Sequence, residues 1–200
     1  MSDYPVKRVY LVRHGETEWS IDRRHTGRTD IALTAVGRRR ATALATKLAG
    51  IDGIEGAVVL TSPLQRARDT CALAGLGERA ERCDDLTEWD YGEFDGLRTA
   101  DLRVAEPDWS IWTTTITKGE SLGHVAARAD RVIARVDGAD REMFVLFAHA
   151  HFLRILAARW CGLPPDAGRH LTLLPASISM LGYEREMRVI DHWNTAAFPT

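Results

Sequence analysis

The apolar run Val9-Tyr10-Leu11-Val12 stops on Arg13, His14 and Gly15, so a buried strand gives way at once to a guanidinium, an imidazole and a residue that lets the backbone turn. In open α/β sheets ligands gather beyond the carboxyl ends of strands, which puts both side chains where a substrate would lie. A second run, Ala57 to Thr61, leads into Ser62-Pro63 and then Arg66, and a third, Met143 to Ala148, ends on His149. Ser62-Pro63 pairs a capping residue with proline at the first helical position. It predicts a helix starting there, with Arg66 in a first turn whose N–H groups favour an anion. Two arginines and two histidines at neighbouring strand ends suit a phosphoryl group, since most of what a protein does for its transfer is to hold it and stabilise its charge. Positive neighbours would keep His14 unprotonated and nucleophilic, so that attack gives a phosphohistidine and one displacement becomes two. His149, protonated by the bound phosphate, would add a third positive donor.

Those side chains need a frame. Gly37, Ala41, Leu44, Ala45 and Leu48 recur at helical spacing between the capping residue Thr34 and the stop Gly50, which predicts a helix after the first strand. Arg38, Arg39 and Arg40 on it read as a solvated face. Leu64, Ala67 and Cys71 give the next helix an inward face. Leu122, Val125, Ala129, Val132, Ile133 and Val136 mark another over Ser121 to Asp137, and Phe152 to Cys161 reads as the last. Ile178 to Tyr183 and Glu186 to Ile190 form a candidate hairpin around Glu184-Arg185. Buried strands alternating with helices predict the α/β class: a three-layer α/β/α sandwich with a mainly parallel central sheet, to which the hairpin adds antiparallel edge strands. Residues 84–118 break the pattern, with Trp89, Tyr91, Phe94, Trp109 and Trp112 spread among acids, glycines and Pro107. This stretch is expected to be a flap over the strand C-terminal ends with a short helix near 99–105, and insertions of that length are more often functional than not.

At 200 residues the chain fits a single domain, 1–200, and 45% hydrophobic with 27% charged residues is ordinary for a soluble globular protein. A net charge of -2 supplies no global basic field, so neither nucleic acid nor anionic membrane is an expected partner and the arginines must act locally. No apolar run approaches the roughly 18 residues of a spanning helix, and Met1 to Tyr4 lacks a signal-peptide profile; the cytoplasm is the expected location. Cys71, Cys83 and Cys161 are odd in number and show no Cys-x-x-Cys pair, which predicts reduced, mostly packed thiols. His124, His170 and His192 have no companion motif and read as surface or structural residues. His149 and His151 would point the same way on a strand and form a rival metal-ligand pair, but a fixed cation beside His14 repels a metal. No cofactor and no metal are called for. The expected partner is a small-molecule phosphate ester, and a homodimer is left open.

The residue order resembles that of the histidine phosphatase (phosphoglycerate mutase-like) superfamily. Arg13-His14-Gly15-Glu16-Thr17-Glu18-Trp19 is similar to its signature at the end of the first strand, and Ser62 to Thr70 to its Ser-x-x-x-Arg-Ala-x-x-Thr block. Leu86 to Leu97 is similar to its Leu-x-Glu-x-x-x-Gly-x-x-x-Gly, and Gly119-Glu120-Ser121 to its Gly-Glu-Ser, all in family order from residue 9 to about 160. The resemblance implies that Glu88 on the flap is the proton donor, that Thr26 and Gly27 line the substrate pocket beside His25, whose role stays open, and that Tyr91 and Ala150 join Arg13, Arg66 and His149 around the phosphate. Two departures stand out. Ser20 replaces the asparagine many members carry six residues after the nucleophile, and Ala150 replaces their glycine, which predicts a backbone angle costly for alanine. Tyr91 matches the mutases, yet residues 98–118 hold only Arg98, Arg103 and Lys118, without an adjacent arginine pair, so water is the expected acceptor. Glu88 to Gly92 with Trp109 and Trp112 looks like the subgroup of sedoheptulose-type sugar bisphosphatases and broad acid phosphatases. The expectation is a metal-independent phosphomonoesterase for a small phosphorylated metabolite, a sugar phosphate. Its alternatives are a cofactor-dependent phosphoglycerate mutase and a non-catalytic phosphate-binding module.

Overall fold

In the computed structural model, which describes residues 7–196, the chain runs β1 (Arg8–Arg13), a one-turn α1 (Glu18–Ile21), α2 (Ala35–Ala49), β2 (Val58–Thr61) and α3 (Gln65–Leu73). It continues through a two-residue β3 (Glu81–Arg82), α4 (Thr99–Ala105), α5 (Leu122–Asp137), β4 (Met143–Ala148), α6 (Ala150–Trp160) and the hairpin β5 (Ser177–Glu184) and β6 (Met187–Ala196). The first four residues, read above for a leader, lie outside the described residues. The six strands form one sheet in the order β3-β2-β4-β1-β5-β6, parallel from β3 to β1 and antiparallel through the hairpin. Among the described residues no helix is long and apolar enough to cross a membrane.

Side-chain alternation along the strands divides the core into two layers. Val9, Leu11, Leu60, Phe144 and Leu146 face α5, α6 and the flap. Tyr10, Val12, Val59, Val145 and Phe147 face α2 and α3 through Leu44, Leu48 and Cys71. Because β4 is covered on both faces, all six of its residues are buried, and the sequence reads there as an unbroken apolar run. Arg38, Arg39 and Arg40 are exposed, as are His124, His170 and His192.

Register places the chemistry. Arg13 lies opposite Ala148 and Thr61 opposite Phe147, so the next residues, His14, His149 and Ser62, emerge side by side at one edge of the sheet. Two glycines let the following loop turn back tightly. A β-carbon on Gly15 would stand 2.8 Å from the Gly37 carbonyl oxygen, and one on Gly37 would stand 2.2 Å from that of Glu16. Only bare backbone lets the start of α2 lie this close beneath the strand end.

Two expectations require correction. The helix carrying Arg66 begins at Gln65, with Leu64 as cap, rather than at Ser62-Pro63. Its first N–H is taken by both carboxylate oxygens of Asp30 at 2.9 Å, so the protein's own acid fills the amino end of α3. Ala150 is the first residue of α6 in ordinary helical backbone, and the glycine-only angle is not used there. The strand ends at Ala148, where its apolar run ends in the sequence; His149 caps α6 and His151 lies within it, so no strand aligns the two as a metal-ligand pair.

Candidate active site

His14 is 4% exposed, and its Nδ1 lies 2.7 Å from the carbonyl oxygen of Gly15. A carbonyl only accepts, so Nδ1 carries the hydrogen and the neutral ring keeps its lone pair on Nε2. Burial, then Arg66 and Arg13, hold the His14 pKa well below the usual imidazole value. Its backbone is fixed on both sides. The N–H donates to Ala148 and the carbonyl accepts from Ala176, which adopts φ +54 to make that contact.

Arg13 and His149 flank the ring. Arg13 is anchored by an Nη1 hydrogen bond to the Leu173 carbonyl, while its buried Nε has no partner, and burial pushes its pKa down to about 10. His149 is fully buried with its ring centroid 5.2 Å from that of His14. Its Nε2 meets the Ser62 hydroxyl at 2.7 Å and its Nδ1 is unpartnered. Arg66 takes a different part from the one expected of it. It is 0% exposed, and its Nη atoms donate to the carbonyls of Thr26, Gly27 and Thr29 at 2.9–3.0 Å, leaving only Nε unbonded. Arg66 therefore builds the loop that carries Thr26 and lends its charge from behind the wall. Gly27 also stands behind that wall; its N–H donates to Asp95, and a β-carbon there would sit 2.9 Å from the Trp89 carbonyl oxygen. Arg13 Nε and His149 Nδ1, buried and unpartnered on either side of the His14 imidazole, are the arrangement an anion would satisfy.

Glu88 reaches in from the flap. Its Oε1 accepts the N–H groups of Trp89 at 3.0 Å and Phe152 at 2.9 Å, and its Oε2 accepts that of His151 at 3.2 Å. The amino end of α6 thus aims the carboxylate. Arg128, 8% exposed, braces the chain leading to it, donating to the carbonyls of Asp85 and Thr87 at 2.7 Å and forking onto Glu120 at 2.8 Å. Arg128→Met is expected to destabilise the protein by about 3–5 kcal/mol, because Glu120 and two carbonyls lose their partner together. Urea denaturation measures that loss, and a change under about 1 kcal/mol would show that the brace carries no weight.

The side chains enclose a cavity of about 400 Å³. Of the residues singled out from sequence, Arg13, His14, Ser20, Thr26, Glu88, Tyr91 and Ala150 line it, whereas Gly27, Arg66 and His149 do not. Ser20 is half-buried, and its hydroxyl is engaged in a capping box with Thr17 at the start of α1. Tyr91 is buried, with its hydroxyl 2.6 Å from His151 Nδ1. Sequence reasoning left out Arg23, Arg24, Thr99, Arg103 and Arg154, and did not place His25 or His151. For Arg154 the signal was present: it stands one helical turn beyond Ala150 and His151 on the same face of α6. Among the described residues no group of three His, Cys, Asp or Glu side chains is gathered in a way that could hold a metal ion.

Four histidines share this buried setting. His14, His149 and His151 are held well below the ordinary imidazole pKa, and His25 is pushed down to about 4, in each case first by burial. Below about pH 6.5 the unfolded chain takes up protons that the folded one refuses, so stability falls as pH falls. Each group costs about 1.4 kcal/mol per pH unit until its folded pKa is passed. Denaturation at pH 7.5 and 5.5 is expected to differ by about 3–5 kcal/mol, the acid side being weaker; a flat profile would contradict neutral buried imidazoles.

Residues 9–196 match the family model described as histidine phosphatase superfamily (branch 1). This chain belongs to that superfamily. An acid phosphatase of Mycobacterium tuberculosis is 42% identical over 90% of this chain and 89% of its own length. A sedoheptulose 1,7-bisphosphatase of Saccharomyces cerevisiae is 33% identical over 78% of this chain and 68% of its own. Among solved structures, an open-reading-frame product of Mycobacterium tuberculosis superposes with a TM-score of 0.89 at 36% identity, covering 96% of this chain and 99% of that one. The six-stranded α/β fold is that of the superfamily, and the histidine phosphatase is an enzyme of the phosphatase class.

Proposed function

We propose that this histidine phosphatase is a metal-independent phosphomonoesterase that hydrolyses a small phosphorylated metabolite, a sugar phosphate, through a phosphohistidine on His14. The observation that carries the reading is the hydrogen bond from His14 Nδ1 to the Gly15 carbonyl, which leaves Nε2 unprotonated on a cavity residue beside Arg13. Nε2 attacks phosphorus in line as the ester oxygen departs, and water then displaces the phosphoryl group from the ring. Arg13 through Nε, His149 through Nδ1 and the charge of Arg66 stabilise the phosphoryl oxygens. Glu88 gives a proton to the departing oxygen and takes one from the attacking water. Oε2, whose single contact is the longest of the three, is the oxygen with room to carry it. Water as acceptor fits a flap whose Arg98 is already forked onto Asp101 at 2.7 Å. Free thiols at Cys71, Cys83 and Cys161 suit a cytoplasmic enzyme.

Turnover of p-nitrophenyl phosphate in the presence of a chelator, followed by denaturing quench, tests the route. An acid-labile, base-stable phosphoryl adduct mapping to His14 is expected. Chelator-sensitive turnover, or active mixtures that never yield the adduct, would overturn it.

A further inference from the structure

We propose that Trp193 and Asn194, on a bulge of the edge strand β6, are positioning residues for the phosphate site: by gripping the segment 172–174 they fix where Arg13 and His14 stand. The proposal rests on the phosphatase reading of the cavity, and neither residue lines it. Arg13 has little else to hold it. Among the described residues the Leu173 carbonyl is the one acceptor its guanidinium has, and the His14 carbonyl accepts from Ala176, three residues further on. Both groups therefore sit where the loop between α6 and β5 puts them.

That loop is tied from its other side. Leu171 enters it at φ -100 and ψ 121, and in extended chain alternate residues turn their main-chain groups to opposite sides. The Leu173 carbonyl accepts from Arg13. On either side of it, the Thr172 carbonyl accepts from Trp193 Nε1 at 2.6 Å and the Leu174 N–H donates to Asn194 Oδ1 at 2.7 Å. Arg13 and β6 thus hold opposite edges of one short stretch of backbone.

The bulge makes this grip possible. Ile178 pairs with Thr195 and Met180 with His192, so Ser179 alone on β5 stands against Trp193 and Asn194. Regular alternation would send neighbouring side chains to opposite faces of the sheet; the extra residue lets both reach the same segment. Asn194 takes φ +59 there, a region asparagine tolerates better than most residues, and its N–H donates to the buried Ser179 hydroxyl at 2.9 Å. At the far end of the segment, Leu174-Pro175-Ala176-Ser177 closes a turn through a hydrogen bond from the Ser177 N–H to the Leu174 carbonyl at 3.2 Å. Ala176 takes φ +54 in the place where such turns favour glycine. Strain of this kind persists where the surroundings over-determine it, and here it brackets the backbone that holds Arg13. A guanidinium fixed before the anion arrives loses less freedom on binding it.

Three variants isolate the grip. Asn194→Gly keeps the left-handed angle and deletes the acceptor, Asn194→Asp keeps both, and Trp193→Phe keeps a ring and deletes the donor. Calorimetry with inorganic phosphate should show Kd raised by about three- to tenfold in Asn194→Gly and in Trp193→Phe. With both changes combined the loss should approach the roughly 10- to 100-fold expected of Arg13→Met, which removes a charge-assisted hydrogen bond outright. Asn194→Asp should stay within about threefold of the parent. KM for p-nitrophenyl phosphate should rise in step with Kd. A merely structural role would lower the folded fraction, and with it kcat, and leave Kd and KM where they were. Nuclear magnetic resonance supplies a readout that needs no turnover: the Arg13 side-chain N–H signal, assigned by its loss in Arg13→Met, should shift or broaden in Asn194→Gly and return in Asn194→Asp. An unchanged Kd or an unchanged Arg13 signal in Asn194→Gly, or an Asn194→Asp as weak as Asn194→Gly, overturns the proposal. If the parent neither binds phosphate nor turns over the aryl ester, the phosphatase reading fails instead, and the Arg13 signal still judges the grip.

Discussion

His14→Ala is expected to lower kcat by at least about 10⁴-fold on every phosphate ester, aryl or sugar. The reason is covalent. Removing the ring deletes the atom that accepts phosphorus, and no nearby group replaces it. His149 is fully buried with Nε2 committed to Ser62, and His151 is tied to the Tyr91 hydroxyl. Cys71 is deep in the core, where burial pushes its thiol up to about 12. Binding should outlast catalysis, since Arg13, Arg66 and His149 keep their places, so Kd for inorganic phosphate should change by less than about tenfold. His14 also brings a desolvated, neutral imidazole whose removal relieves an acid-sensitive group, and the variant should lose less stability than its parent below pH 6.5. Calorimetric phosphate binding, with turnover and denaturation measured side by side, checks all three. Residual activity above about one part in a thousand would remove His14 from the nucleophile's role.

Glu88→Gln should separate substrates by leaving group. A sugar alkoxide needs a proton as it departs, whereas p-nitrophenolate leaves well without one. kcat/KM, which reports the phosphorylation half-reaction, should fall by about 10²–10⁴-fold for a sugar phosphate. For the aryl ester the fall should stay under about tenfold. Glutamine is the right probe because its oxygen can replace Oε1, which accepts from Trp89 and Phe152 at 3.0 and 2.9 Å. Its amide nitrogen then displaces only the longer contact with His151 at 3.2 Å. Equal losses on both esters would mean that Glu88 braces the start of α6 rather than moving a proton. The Arg128→Met variant supplies the contrast, since loosening the flap's base should depress both substrates alike.

Much of this cavity can be read from the chain because strand ends, glycines and caps are local features. The run before Arg13 is apolar at every position because β1 is covered on both faces, and the same holds for the run before His149. The α5 stripe from Val125 to Val136 and the hairpin at Arg185 were visible for the same reason, as periodicity and turn position are written in neighbouring residues. The start of α3 was misplaced because Ser62, a good cap on local grounds, is taken by His149 across the sheet, and Asp30 from a distant loop supplies the cap instead. The resemblance implies a glycine angle at Ala150, but in this chain the residue begins a helix.

What the sequence by itself determined is the set of reacting groups and their place at strand ends, since alternation and chain order specify which residues leave a buried strand and where. Tertiary structure alone decided how each group is used. Arg66 spends its fork on three carbonyls, Glu88 is aimed by α6, and Arg154, Arg103 and Arg23 meet from three separate segments around one cavity. The physical reason is that a guanidinium or carboxylate is satisfied by whatever partner the folded chain brings within about 3 Å. Those partners lie far off in sequence, 64 residues for Glu88 and Phe152 and 160 for Arg13 and Leu173, where local pattern carries no information.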